Sequence, residues 1–216
     1  MHKKYDKLLF LSIIVLLIFG SIMIYSASSI WAQYKFNDSF HYVKQQALFI
    51  FIGLILIRII LKVDYNKYYE KANIILGICF LLLILVLIPG IGTVRNGSRS
   101  WFGIGPFGIQ PSEFAKLGLI IFTSKYLSNS NKFLKSYKKG VFPILGVMLL
   151  FFGLIMLQPD LGTGLVLAMT IVSLLFIAGV NMKFFFGVGI LGVIGVIILI
   201  IIAPYRMDRI TAFVNP

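Results

Sequence analysis

Residues 141–204 read VFPILGVMLLFFGLIMLQPDLGTGLVLAMTIVSLLFIAGVNMKFFFGVGILGVIGVIILIIIAP, and Asp160 is the only acid among them. A run of about 18 or more apolar residues with few charges has the length and chemistry of a membrane-spanning helix. This stretch holds enough for three, over 141–158, 160–180 and 184–204. The same pattern recurs toward the N-terminus, at 8–27, 45–62, 74–91 and 111–127. The fourth range is interrupted near its ends by Lys116 and Lys125, whose long side chains can reach the interface while their stems stay in the apolar layer. The fold class predicted is therefore all-α, a polytopic transmembrane bundle of about seven helices forming a single integral membrane domain over 1–216.

Composition agrees. Of the 216 residues 59% are hydrophobic and only 12% charged, and the mean hydropathy is +0.98. Soluble domains carry about a quarter charged residues, so a soluble fold of this composition lacks the polar residues to cover its surface. The formal net charge of +13 raises nucleic acid as a partner. The cations sit in short segments between apolar blocks, the distribution of cytoplasmic membrane loops, and nucleic acid is excluded on that ground. Cys79 lies inside an apolar block with no second cysteine in the chain, and His2 and His41 are far apart. Neither a disulfide nor a zinc site is predicted. The start, MHKKYDK before LLFLSIIVLLIFGSIMIY, mimics a signal peptide but its apolar run is too long for one, so it reads as a retained first helix.

The lysine distribution sets an orientation. With the N-terminus inside, inner segments carry Lys3, Lys4, Lys7, Lys62, Lys67, Lys71, Lys125, Lys132, Lys135, Lys138, Lys139 and Lys183. The outer segments carry only Lys35, Lys44, Arg95, Arg99, Lys116, Arg206 and Arg209. Seven crossings then leave residue 216 outside. Gly146, Gly153, Gly162, Gly164, Gly189, Gly192 and Gly195 are read as places of close helix approach.

The outer segments carry the chemistry. Residues 95–116, RNGSRSWFGIGPFGIQPSEFAK, combine two arginines, four glycines, Trp101, Phe102 and Phe107. The aromatics suit the headgroup level, and the glycines with Pro106 predict a tight irregular loop that turns inward at Gln110-Pro111-Ser112-Glu113. Proline is favoured at the first helical position and an acid in the first turn complements the positive helix end. Glu113 and Lys116 share a face as i,i+3 neighbours. They read either as a cap with a surface ion pair or, with Arg99, as a polar cluster at the mouth of a cavity. Residues 157–163, LQPDLGT, repeat the device. Asp160 is either a capping acid held by free backbone N–H groups or an acid aimed into a cavity shared with Lys116 and Arg99. The third segment, Tyr205–Ile210, places Arg206 and Arg209 on either side of Asp208.

At these residues the chain resembles a known family. NGSRSWFGIGPFGIQPSEFAKL (96–117), LQPDLGTG (157–164) and APYRMDRITAFVNP (203–216) are similar, in order and placement, to motifs of the FtsW/RodA/SpoVE family, with a first helix ending in MIYSASS. NGSRSW and the APYR…RIT segment look closest to the division and sporulation branches. The resemblance implies a fold of about ten transmembrane helices, of which this chain is the N-terminal part. It implies a peptidoglycan glycosyltransferase that polymerises lipid II, a disaccharide-pentapeptide on undecaprenyl pyrophosphate. The implied partners are a class B penicillin-binding protein and divisome or sporulation proteins, in the bacterial plasma membrane. Carried over onto matching positions, the substrate-binding residues are Lys44, Arg99, Glu113, Lys116, Gln158 and Asp160. The family's essential carboxylate lies in the large outer loop after the seventh helix, so no catalytic residue is assigned here and the chain alone is expected to be inactive. No cofactor is identified, and a divalent metal is left open. The other readings kept are a lipid II flippase, for which no inverted repeat is legible, and a non-catalytic scaffold that recruits the penicillin-binding protein.

Overall fold

The computed structural model describes residues 6–95, 97–103, 108–129 and 137–202. The readings made on Lys3, Lys4, Pro106, Phe107, Lys132, Lys135, Arg206, Asp208 and Arg209 lie outside them. The described residues form two compact units, Met1–Tyr65 and Asn66–Pro216.

The first unit is a helical hairpin, α1 (Lys7–Phe36) and α2 (His41–Ile60). Asp6 starts α1 by accepting from the Leu8 and Leu9 N–H groups at 2.9 and 3.1 Å, satisfying donors that have no partner inside the helix. The helix does not stop near residue 27, where its apolar run ends. It continues through Trp31 and Tyr34 until Asn37 adopts a left-handed conformation (φ 54°) and donates its N–H to Gln33. Aromatic stacking fastens the turn. The Phe36 and His41 rings lie 3.9 Å apart, and those of Tyr25 and Phe40 4.8 Å. Ala32 is the sole buried residue of α1, and α2 has none among its described residues. So large an apolar surface is stable only in an apolar solvent.

The second unit contains α3 (Tyr65–Leu87, its first residue at the unit boundary), a hairpin of β1 (Thr93–Arg95) and β2 (Ser98–Trp101), α4 (Pro111–Asn129), the single turn α5 (Tyr137–Gly140), α6 (Phe142–Met156), α7 (Leu161–Ile177) and α8 (Met182–Ile202). Helix α4 is central, packing on α6 and α7 and, through Gly118, on Cys79 of α3. Each neighbour buries one stripe. Ile144, Met148, Phe151 and Ile155 form that of α6, and Gly164, Leu167, Ile171 and Leu175 that of α7. The 3–4 spacing marks one face of a helix. Of the described helices, α1, α2 and α3 are long and apolar enough to cross a membrane, while α6 and α7 are shorter apolar helices.

Two readings are corrected. The segment after α3 is not wholly irregular: β1 and β2 pair antiparallel, with Val94 opposite Arg99 and Arg95 opposite Ser98. Phe102 and Ile109 then exchange both backbone hydrogen bonds at 2.8 Å. Most of the glycines named above do not sit at close approaches. A Cβ at Gly146, Gly153, Gly189, Gly192 or Gly195 would meet no atom within 4 Å, and at Gly162 only its own cap, Asp160. Gly164 does pack closely, against Met156 and Phe152. Other tight glycines are Gly118, Gly92 and Gly108, where a Cβ would lie 2.8 Å from Cys79 Sγ, 1.8 Å from the Val86 carbonyl oxygen and 2.7 Å from the Arg95 guanidinium.

Candidate functional site

The two ends of the second unit differ. At one end Tyr69 Oη donates to Asn129 (2.7 Å), Lys125 Nζ reaches the Glu70 carbonyl (3.5 Å), and Tyr126 Oη donates to the Lys139 carbonyl (2.8 Å). The Tyr137 and Phe184 rings stack there. Lys67, Lys71, Lys125, Lys138, Lys139 and Lys183 all belong to this end. The opposite end holds the β-hairpin, the start of α4 and the α6–α7 turn, with Arg95, Arg99 and Lys116 as its described cations.

This second end is cross-linked by side chains distant in sequence. Ser98 Oγ, on β2, donates to the backbone carbonyl of Gln158, and the Ser98 and Ser100 hydroxyls lie 2.9 Å apart. Gln110 Nε2 donates to Asp160 Oδ2 at 2.9 Å. The same oxygen accepts from Thr163 Oγ1 at 2.7 Å, and Oδ1 accepts from the Thr163 N–H at 3.1 Å. Asp160 is thus the N-cap of α7, as the sequence allowed. Its cross-chain partner is Gln110, not Lys116 or Arg99.

Lys116 goes instead to Glu113, at 2.7 Å, with side-chain exposures of 21% and 56%. Pro111 stands at the first position of α4 and Glu113 in its first turn. This is the cap-and-ion-pair arrangement, and such a half-exposed pair is worth little to stability. Arg99 is half-buried, opposite Val94 in the ladder, with no acid partner among the described residues. Gln158 is fully buried, and neither polar atom of its amide has a hydrogen-bond partner among the described residues. Ser112 Oγ shares that condition.

Lys44 belongs to the first unit, where it pairs with Asp38 at 2.8 Å. That hydrogen bond, followed by the Phe40 N–H, holds the Asp38 carboxyl below its ordinary value. Two residues escape the sequence reading. In sequence Gln110 is only the residue before a helix, and nothing local betrays a partner fifty positions away. Arg95 lays its guanidinium 5.0 Å from the Trp101 ring centre and against Gly108. The alternation of Arg95, Arg99 and Trp101 across a short hairpin could have signalled that contact. Among the described residues no three His, Cys, Asp or Glu side chains are gathered as metal ligands.

The arrangement presents a half-buried guanidinium on a hairpin strapped to two helix starts. N–H groups at helix starts and a cation with no acid partner are the usual means of holding an anion.

Comparison with known proteins identifies the family. The family model described as "Cell cycle protein" (FTSW_RODA_SPOVE) matches residues 6–216. Stage V sporulation protein E of Bacillus subtilis is 48% identical over 211 residues, 98% of this chain and 58% of that protein. The probable peptidoglycan glycosyltransferase FtsW of Trichlorobacter lovleyi is 35% identical over 213 residues, 99% of this chain and 56% of that protein. The chain thus spans less than two thirds of the length of these relatives. Among solved structures, one described as "Structural coordination of polymerization and crosslinking by a peptidoglycan synthase complex" aligns with a TM-score of 0.65 and 27% identity, covering 93% of this chain and 58% of that one. The rod shape determining protein RodA of Thermus thermophilus aligns with a TM-score of 0.62 and 28% identity, covering 82% and 58%. These likenesses, with the apolar helices described above, agree with an all-α multi-pass membrane bundle. With motifs, helices and relatives agreeing along nearly its whole length, the chain belongs to the FtsW/RodA/SpoVE family of membrane proteins.

Proposed function

We propose that this chain is part of a membrane glycosyltransferase that polymerises lipid II into glycan strands during septal or spore cell-wall synthesis, beside a class B penicillin-binding protein. The name of the FtsW relative supports the reaction class, that of the sporulation relative the spore setting, and the synthase complex among its structural neighbours supports a cross-linking partner. The observation that carries the reading for this chain is Arg99, half-buried and with no acid partner among the described residues, on the hairpin that Ser98 fastens to the α6–α7 turn. A lipid-linked pyrophosphate is doubly anionic, and its charge must be stabilised as the glycosidic bond forms and the carrier leaves. A preorganised guanidinium near helix N-termini, in a poorly hydrated site, serves that step. A site at the end of a membrane bundle also receives a lipid substrate sideways from the bilayer.

The orientation that fits is N-terminus inside and residue 216 outside, with the lysine-rich end of the second unit facing the cytoplasm. Lys116 is then a secondary anion contact of the second unit's outer end, while Lys44 stays paired with Asp38 within the first unit. The acids of the described outer segments are all engaged, Asp38 with Lys44, Glu113 with Lys116 and Asp160 with Gln110 and Thr163. The family resemblance assigns the general base for the acceptor hydroxyl to a carboxylate outside the described residues.

The test is labelled lipid II supplied to the protein in vesicles with a class B penicillin-binding protein. Glycan polymer lost on Arg99→Ala is the expected result. Movement of lipid II across the bilayer without polymer would favour a flippase, and neither polymer nor movement a scaffold.

A further inference from the structure

Gln110 and Asp160 each stand one residue before a helix, α4 and α7, and are hydrogen-bonded to one another. The sequence echo between Gln110-Pro111 and Gln158-Pro159 hides this, because the equivalent positions are offset by two. Gln110 precedes α4 as Asp160 precedes α7, whereas Gln158 lies buried in the preceding turn. Both oxygens of the half-buried Asp160 carboxylate are occupied by Gln110 and Thr163. Two residues upstream, the Gln158 carbonyl is held by Ser98. The α6–α7 turn is therefore gripped from β2 and from the start of α4.

We infer that Gln110 is a positioning residue, whose amide fixes Asp160 and with it the start of α7 to the start of α4. Its bearing on substrate handling rests on the function proposed above, but the bond itself does not. A donor on a carboxylate is among the stronger hydrogen bonds. Residue 110 must donate so long as residue 160 is ionised. Gln110→Glu places a second carboxylate where the donor stood. Two carboxylates this close cannot both ionise, so one takes up a proton at a raised pKa. The defect must then be present at alkaline pH and recede as pH falls. When Gln110→Glu is combined with Asp160→Asn the same bond forms in reverse, from the new amide at position 160 to the new carboxylate at position 110, with net charge unchanged.

The experiment is thermal unfolding of the 216-residue chain in detergent at pH 5 and pH 8, for wild type, Gln110→Glu, Asp160→Asn and the double variant. At pH 8 Gln110→Glu should melt roughly 5 °C below wild type. It should regain most of that at pH 5, while the double variant melts near wild type at both. A double variant no more stable than Gln110→Glu at pH 8, or a Gln110→Glu deficit equal at both pH values, overturns the assignment. Because unfolding is read without substrate, failure of the proposed function leaves these outcomes decisive.

Discussion

Gln110 and Asp160, fifty residues apart, each stand one residue before a helix and hold each other at 2.9 Å. The bond joins the starts of α4 and α7 in one frame, and Arg99 is carried by a hairpin tied to the same α6–α7 turn. The half-buried carboxylate, the buried amide and a guanidinium with no acid partner among the described residues are all polar features inside a largely apolar bundle, where they are expensive unless they serve a purpose.

That frame separates the two roles open to Asp160. In Asp160→Asn the side-chain oxygen still caps Thr163, and Gln110 turns its own oxygen to accept from the new amide, so the fold is retained. If the negative charge serves substrate handling, polymer formation by the full-length protein falls by tenfold or more while melting shifts by no more than a few degrees. Lys116→Ala is expected to behave alike, since its ion pair with Glu113 contributes about 0–1 kcal/mol. The check is activity per folded protein, by gel filtration and lipid II polymerisation. Stable variants with near-normal activity would remove both residues from the site.

Much of this was legible in the sequence, for a physical reason. A membrane helix announces itself by composition, so the seven apolar ranges each fall on a helix; Gln110-Pro111 falls at the helix start it was read to mark, whereas Gln158-Pro159 lies in the turn before α7, with Asp160 as its N-cap. The faces were not legible. Helices α6, α7 and α8 are apolar all round, so the buried stripe of Ile144, Met148, Phe151 and Ile155 has no polar side to define it by contrast. The glycines failed for the same reason: Gly153 and Gly164 sit in equally apolar surroundings, and only Gly164 faces a neighbour. Helix α1 outran its apolar block because Gln33 and Lys35 are tolerated in a helix that leaves the membrane. The hairpin was missed because three- and four-residue strands give no periodicity.

Glycine predictions follow from those contacts. Gly92→Ala drives a Cβ into the Val86 carbonyl, a backbone clash that cannot relax by rotation. It should destabilise the second unit by about 1–3 kcal/mol. Gly153→Ala, with open space around it, should melt within a degree or two of wild type or slightly above it, since alanine is the better helix former. Thermal unfolding of the two variants side by side decides the matter, and a reversed order would contradict the packing.

In the first unit, Lys44 lowers the Asp38 carboxyl. The depressed acid stabilises the fold at pH above its unfolded value, near 3.8, and that contribution is lost as pH falls through the folded value. Carboxyl NMR titration should place Asp38 lower in the wild type than in Lys44→Ala. Identical titrations would show that the ion pair does not persist in solution.

Orientation is checked by labelling. With Cys79 replaced, Val94→Cys should react with a membrane-impermeant maleimide added outside intact cells, and Lys138→Cys only after permeabilisation. The opposite pattern would invert the topology and place the hairpin in the cytoplasm.

The central claim is that the Arg99 end of the second unit holds a lipid-linked pyrophosphate. Its most direct measurement is equilibrium binding of labelled lipid II to the 216-residue chain in nanodiscs, wild type against Arg99→Ala. Loss of a charge-assisted contact worth about 1.5–3 kcal/mol predicts binding weakened roughly ten- to hundredfold, with undecaprenol, which lacks the pyrophosphate, failing to compete. Equal affinities for wild type and Arg99→Ala, or full competition by undecaprenol, would contradict it.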